Sequence, residues 1–243
     1  MGVPTLGCHC PVCQSTDPHD KRTRPSILLQ YAGRCVVIDT TPDFRTQALR
    51  VGLDRLDAVL YTHGHADHIL GLDDIRPFNG RQRSLIPIYG SGPTLATLRR
   101  QFSYIFDPSP TISSLPQIQV HELDGAIDLF GVTFTPIHAF HGPMPVLGYR
   151  FGNSAYLTDF SAVPEDSKKL LRGLDHFILD ALRYQAHPMH SNVEQSLALV
   201  DELKPAHAWF THICHDLGHA ATNAKLPENV RLAYDGLELE VEA

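Results

Sequence analysis

LYTHGHADHILGL, residues 60–72, places His63, His65, Asp67 and His68 within six positions, directly behind an apolar run. Imidazoles two apart on a loop can be directed at one ion. The Asp67–His68 pair then points to a second ion a few ångströms away. Two cations about 3.5–4 Å apart clamp a phosphoryl group and generate hydroxide near neutral pH. A surface loop that merely happened to be histidine-rich would not need four ligand-type side chains so close behind a buried strand.

The rest of the chain bounds this reading. Its 243 residues can bury a sizeable core, and 43% hydrophobic with 19% charged residues is ordinary globular composition. A net charge of −7 gives no electrostatic footprint for nucleic acid. No apolar run approaches the roughly 18 residues a membrane span needs, and the start has no signal-peptide pattern. The unusual count is histidine, with 15. A soluble, cytoplasmic protein rich in imidazole is expected.

Five cysteines divide into a cluster and two singles. Cys8, Cys10 and Cys13 form C-x-C-x-x-C in LGCHCPVCQ, while Cys35 and Cys214 stand apart. Close spacing and an odd count argue against a closed disulfide framework. Three thiolates on a tight turn suit zinc, which then takes a fourth ligand from elsewhere.

Short β-rich runs alternate with helical stretches, and no repeat or linker divides the chain, so one domain over 1–243 is expected. SILLQY and CVVIDT read as a hairpin around Ala32-Gly33-Arg34, DFRTQALRVG as a helix ended by Gly52, and LDAVLYT as a buried strand. LGYRF and SAYLTD form a second hairpin around Gly152-Asn153, and VRLAYDG with LELEVE a closing strand pair. Strands in series with intervening helices give a layered α/β class. His63, His141, Asp159, Asp180 and His212 each fall at or just past the end of a strand-like run, where loops leave a sheet scaffold.

THGHADH matches the H-x-H-x-D-H signature of the metallo-β-lactamase fold superfamily. His141 in HAFHG, Asp159 in AYLTDF and His212 in WFTHI follow in the superfamily's order. The resemblance implies a four-layer αββα sandwich with two metals at one edge. It assigns His63, His65 and His141 to the first metal, Asp67, His68 and His212 to the second, and Asp159 to both. GVPTLGCHCPVC with FTHICHD also resembles the PhnP family of cyclic phosphodiesterases of bacterial phosphonate breakdown. That likeness implies a structural zinc on Cys8, Cys10, Cys13 and His215, and a homodimer. It makes His190, in HPMHSNVEQSLAL, the proton donor, with His187 its local competitor. His138 suits packing or support of a ligand. Asp39 and Asp180 match acidic positions that orient ligands rather than bind metal. The family's opening β-strand has no counterpart before Met1-Gly2-Val3-Pro4, which would expose a sheet edge.

The expected function is therefore that of a dinuclear phosphodiesterase. Hydroxide held by two divalent ions, zinc or manganese, attacks a small, cyclic ribose phosphodiester, with His190 and Asp67 as catalytic residues. The rivals are a tRNA 3′-end nuclease, a thioester or lactone hydrolase, and a PqqB-like role in making pyrroloquinoline quinone. The acidic balance weighs against the first, the cysteine set and His190 against the second, and the intact H-x-H-x-D-H against the third.

Overall fold

The computed structural model describes residues 2–107 and 114–242. The chain forms two compact units, Arg24–Asp124 and Met1–Thr23 with Gly125–Ala243. Each is built on one sheet.

In the 24–124 unit the sheet runs β1 (Ile27–Tyr31), β2 (Arg34–Ile38), β3 (Ala58–Leu60), β4 (Ile86–Gly90) and β5 (Ile118–Glu122), in that order across the sheet. β1 and β2 form the expected hairpin, with Tyr31 opposite Arg34. Its two-residue turn puts Ala32 and Gly33 at positive φ, the conformation whose twist matches right-twisted strands. From β2 onward all pairs are parallel. Such strands are covered on both faces and read as unbroken apolar runs. Val36, Ile38, Ala58, Val59 and Leu60 accordingly have essentially no exposure. Helices Phe44–Arg50, Arg76–Gln82 and Gly92–Gln101 flank the sheet. Phe44, Phe78, Leu95 and Leu98 pack into the cluster around Val59 and Ile88.

The other unit has seven strands: β6 (Ile127–Leu129), β7 (Val132–His141), β8 (Met144–Phe151), β9 (Ser154–Leu157), β10 (His176–Asp180), β11 (His207–Thr211) and β12 (Val230–Leu232). β6 to β9 form an antiparallel meander, and β9 to β12 are mutually parallel. The β8–β9 turn falls at Gly152, as expected. Helix Val193–Leu203 opens with a capping box, Asn192 accepting from the Gln195 N–H and the Gln195 side chain accepting from the Asn192 N–H. It buries Leu199, Val200 and Leu203 against Phe177, Leu179 and Phe210. Truncating a ring such as Phe177 to alanine removes about 3–5 kcal/mol of stability.

One expected element is absent among the described residues: LELEVE forms no strand, and β12 ends the sheet. The alternation exists, since Leu237 and Leu239 are half-buried and Glu238 and Glu240 exposed, but pairing stops one strand earlier. The expected hairpin of LGYRF and SAYLTD forms as β8 and β9. No helix among the described residues is long and apolar enough to cross a membrane.

This topology decides where chemistry can sit. β2 and β3 are parallel, so the residues following them, Asp39 and Tyr61–His63, lie at one edge of their sheet. β7 and β9 both run antiparallel to β8 and hence in the same direction, with β10 and β11 parallel to β9. His141, Asp159, Asp180 and His212 therefore gather at one edge of the seven-stranded sheet. In open α/β sheets, the carboxyl ends of strands are where ligands bind.

Candidate metal centres

In the 24–124 unit, Asp39 organises the histidine loop. It has no exposure and follows β2 with a φ of 65°, a left-handed conformation that turns its carboxylate back toward the end of β3. Its Oδ1 accepts the Thr62 N–H at 2.8 Å. Its Oδ2 accepts the Thr62 hydroxyl at 2.7 Å and faces His68 Nδ1 at 2.7 Å. A carboxylate only accepts, so His68 carries its proton on Nδ1. The Thr62 hydroxyl has spent its proton on Asp39, so at 3.0 Å it accepts from His63 Nδ1. Both imidazoles are thereby left with a lone pair on Nε2, the form that binds a cation.

The His63 and His68 rings lie 4.2 Å apart, and those of His63 and His65 4.7 Å apart. His65 is exposed at the N-cap of the short helix Ala66–Ile69, Asp67 is half-buried in its first turn, and His68 is fully buried. Gly71 closes the loop. Its N–H donates to Thr40 O at 2.9 Å, and a Cβ there would collide with Thr41 O and the Phe44 side chain.

The seven-stranded unit repeats this logic with different parts. His141 ends β7, is 3% exposed, and donates Nδ1–H to Met189 O at 2.6 Å, since a carbonyl can only accept. Its Nε2 is likewise the lone-pair nitrogen. Asp159 and His212 follow β9 and β11 with φ of 53° and 52°, and His212 Nε2 lies 3.2 Å from Asp159 Oδ1. Left-handed backbone at non-glycine residues costs on the order of 1–2 kcal/mol each, and it concentrates at functional sites. Asp180 has no exposure and holds His190 Nδ1 at 2.9 Å. The His190 ring stacks on His212 at 4.9 Å and meets His141 edge-on at 4.5 Å. Asp159, Asp180, His190 and His212 each bring a ligand-type atom within 4.8 Å of the others.

Cys8, Cys10, Cys13 and His215 form a separate cluster in the same unit. The three sulfurs lie 3.2, 3.5 and 3.5 Å from His215 Nδ1. A tetrahedron with zinc's usual sulfur and nitrogen bond lengths has S···N edges of about 3.5 Å, so the set fits zinc. The Cys13 backbone N–H, donating to Cys10 Sγ, pulls the Cys10 thiol down to about 7, aided by the neighbouring cysteines and His215. Buried Arg22 secures the arrangement. It donates to Leu217 O at 2.8 Å, Cys214 O at 3.3 Å and Asp20 Oδ1 at 3.1 Å, tying the N-terminal segment to the turn that carries His215. Cys214 stays outside the cluster as a free thiol, pushed up to about 11 by burial.

Within each unit, then, the residues expected from the sequence come together. Asp39 and Asp180 act as orienting carboxylates. His138 is exposed on β7, so packing is not its role. Sequence reasoning missed Thr62 and Met189. A threonine before the first histidine of the motif, buried at a strand end, was a usable signal. A backbone carbonyl has no residue-type signature.

The chain matches the family model described as the β-lactamase superfamily domain over residues 34–213. It is 36% identical to an octanoyltransferase of Porphyromonas gingivalis over 98% of this chain and 49% of that protein. It is 32% identical to ribonuclease Z of Bradyrhizobium diazoefficiens over 47% of this chain and 42% of that protein. The chain thus spans about half the length of these curated relatives. Among solved structures, a diphosphatase from the PhnP family is 50% identical, with a TM-score of 0.94 over 100% of this chain and 94% of that one. Zinc-bound PqqB from Methylobacterium extorquens, 20% identical with a TM-score of 0.77 over 99% and 96% of the two chains, shares the fold.

Proposed function

This chain belongs to the β-lactamase superfamily and, within it, to the PhnP family, and on that premise we propose that it is a metal-dependent phosphodiesterase acting on a small substrate. The observation that carries the reading is the locked state of His63, His68 and His141. Each has Nδ1 committed to an oxygen, which puts its lone pair on Nε2, the nitrogen that can take a cation. Such support is built around catalytic metals.

The family pattern assigns His63, His65 and His141 to one divalent cation, Asp67, His68 and His212 to a second, and Asp159 to both. When bound, the pair supplies Lewis acidity toward phosphoryl oxygens and acidifies water. Mixed nitrogen and oxygen donors suit zinc or manganese. Cys8, Cys10, Cys13 and His215 would hold a structural zinc, and three thiols kept as metal ligands fit a reducing cytoplasm.

The chain's own residues supply the remaining chemistry. Asp180 takes the hydrogen bond of His190 Nδ1–H, so in the imidazolium form the proton available for transfer is the one on Nε2. As water's oxygen joins phosphorus and the bond to the leaving oxygen breaks, that proton passes to the leaving group. We assign a small cyclic ribose phosphodiester as the substrate class. The diphosphatase neighbour supports phosphoryl chemistry and adds a diphosphate bridge to the bonds worth testing. Net charge of −7 favours a small molecule over nucleic acid, and a homodimer follows from the family likeness.

A second reading, acyl or thioester hydrolysis, draws support from the octanoyltransferase relative, a protein about twice this length. The discriminating experiment is a substrate panel of bis(p-nitrophenyl) phosphate, a nucleoside 2′,3′-cyclic phosphate, a dinucleoside diphosphate, an octanoyl thioester and a lactone. Preference for the phosphorus substrates supports the proposal. Turnover of only the thioester or lactone overturns it.

A further inference from the structure

We propose that His187 is a specificity residue whose Nε2–H contacts an oxygen on the leaving group, beside the proton donor His190. This inference rests on the phosphodiesterase reading above.

The four residues His187-Pro188-Met189-His190 form a bracket fixed at several points. Met189 O accepts from His141 Nδ1, and His190 Nδ1 is held by Asp180. Arg183 donates to Gln185 O and Ala186 O just upstream. His187 is secured by the same peptide run, its Nδ1 accepting the Met189 N–H at 3.2 Å. A backbone N–H can only donate, so this nitrogen keeps its lone pair and the ring proton is on Nε2. That is the opposite tautomer from His141. His187 is thus built to donate a hydrogen bond from Nε2, where His141 presents a lone pair on that nitrogen.

Its position says to what. The His187 ring centre lies 5.1 Å from that of His190. It is outside the group of Asp159, Asp180, His190 and His212, and it is half-buried rather than sealed. Burial, reinforced by His190 and Arg183, holds its pKa below the ordinary histidine range, so the group is uncharged near neutrality. An uncharged donor brings no ionic attraction to a phosphoryl group. It suits a neutral acceptor, such as a ribose hydroxyl or ring oxygen, next to the leaving oxygen that His190 protonates. An aryl oxide leaving group has no such oxygen close to the breaking bond.

The test compares native protein, His187→Ala and His187→Gln on a nucleoside 2′,3′-cyclic phosphate and on bis(p-nitrophenyl) phosphate, with metal content matched. A contact made equally in ground and transition states moves KM and leaves kcat. His187→Ala should raise KM for the ribose diester about tenfold, the weight of one neutral hydrogen bond, with kcat within about twofold. KM for the aryl diester should not move, and His187→Gln, which keeps an N–H donor, should recover most of the loss. A fall in kcat at constant KM is what a displaced His190 would produce, and it overturns the proposal. So does equal loss on both substrates, or loss on neither. Native protein that cleaves the aryl diester alone overturns this inference and leaves the proposed function standing. Native protein that cleaves neither overturns both.

Discussion

Asp39 and His68 are both fully buried and meet at 2.7 Å, carboxylate Oδ2 to imidazole Nδ1. The same carboxylate takes the Thr62 amide and hydroxyl, and through that hydroxyl it sets His63. One aspartate outside the motif thus fixes two of the motif's three histidines. Buried charge of this kind is kept where it is fully hydrogen-bonded.

Asp39→Asn cannot reproduce the arrangement. All of the carboxylate's contacts require an acceptor, and an amide offers one accepting end and one donating end. Metal affinity should fall about 10- to 100-fold with the secondary structure intact. Competition with a graded chelator reads the affinity, and circular dichroism reads the fold. Unchanged retention of metal would contradict the role given to Asp39.

His190 and Asp180 should behave as a unit, because Asp180 holds the Nδ1 of the proposed donor. His190→Ala and Asp180→Asn should each slow cleavage of an alkyl leaving group, His190→Ala by about 10²- to 10⁴-fold. Both should have far less effect on p-nitrophenolate, which departs without protonation. Equal losses across leaving groups would remove the proton-donor assignment.

The cysteine cluster makes a pH prediction for the zinc-free protein. A thiol whose folded pKa is depressed adds stability that is complete above the unfolded value and is lost as pH falls through the folded one. For Cys10 that loss begins at the ordinary value of 9.0 and is complete at about 7. Alkylation of Cys10 should therefore follow a titration with its midpoint near 7, and zinc uptake should release little proton from this residue above that pH. A midpoint in the ordinary thiol range would show that the Cys13 N–H does not act as described. Cys8→Ser should reduce the metal count by one per chain and lower the melting temperature.

Gly71→Ala tests the close approach of backbone behind the histidine loop. The added Cβ meets Thr41 O, which is backbone and cannot rotate away. A loss on the order of 2–4 kcal/mol is expected in urea unfolding, or else a shifted loop with weakened metal binding. A variant as stable and as metal-competent as the native protein would contradict the packing.

The parts legible in the sequence were those encoded by residue type in a short window. His63, His65, Asp67 and His68 are contiguous, as are the three cysteines of the zinc cluster, so chemistry showed through without a fold. The strand-end positions of His141, Asp159 and His212 were readable because each closes or closely follows an apolar, strand-like run, VTFTPIHAF, SAYL or HAWFT. What stayed hidden depends on backbone geometry. Nothing in the letters says that Asp39, Asp159 and His212 turn left-handed, or that Met189 contributes its carbonyl rather than its thioether. The tautomer of His187 is hidden for the same reason, since it follows from one peptide N–H. LELEVE misled because alternation marks an amphipathic strand whether or not a neighbour is present to pair with it.

The most direct test of the central claim is to strip the protein with a chelator, restore zinc or manganese in steps, and follow hydrolysis of bis(p-nitrophenyl) phosphate against metal bound per chain. The account predicts no activity in the stripped protein, recovery as the catalytic pair fills, about three metals per chain at saturation, and loss of both activity and catalytic metal in His63→Ala. Full metal loading with no diester cleavage, alongside turnover of a thioester or lactone, would keep the fold and refute the function.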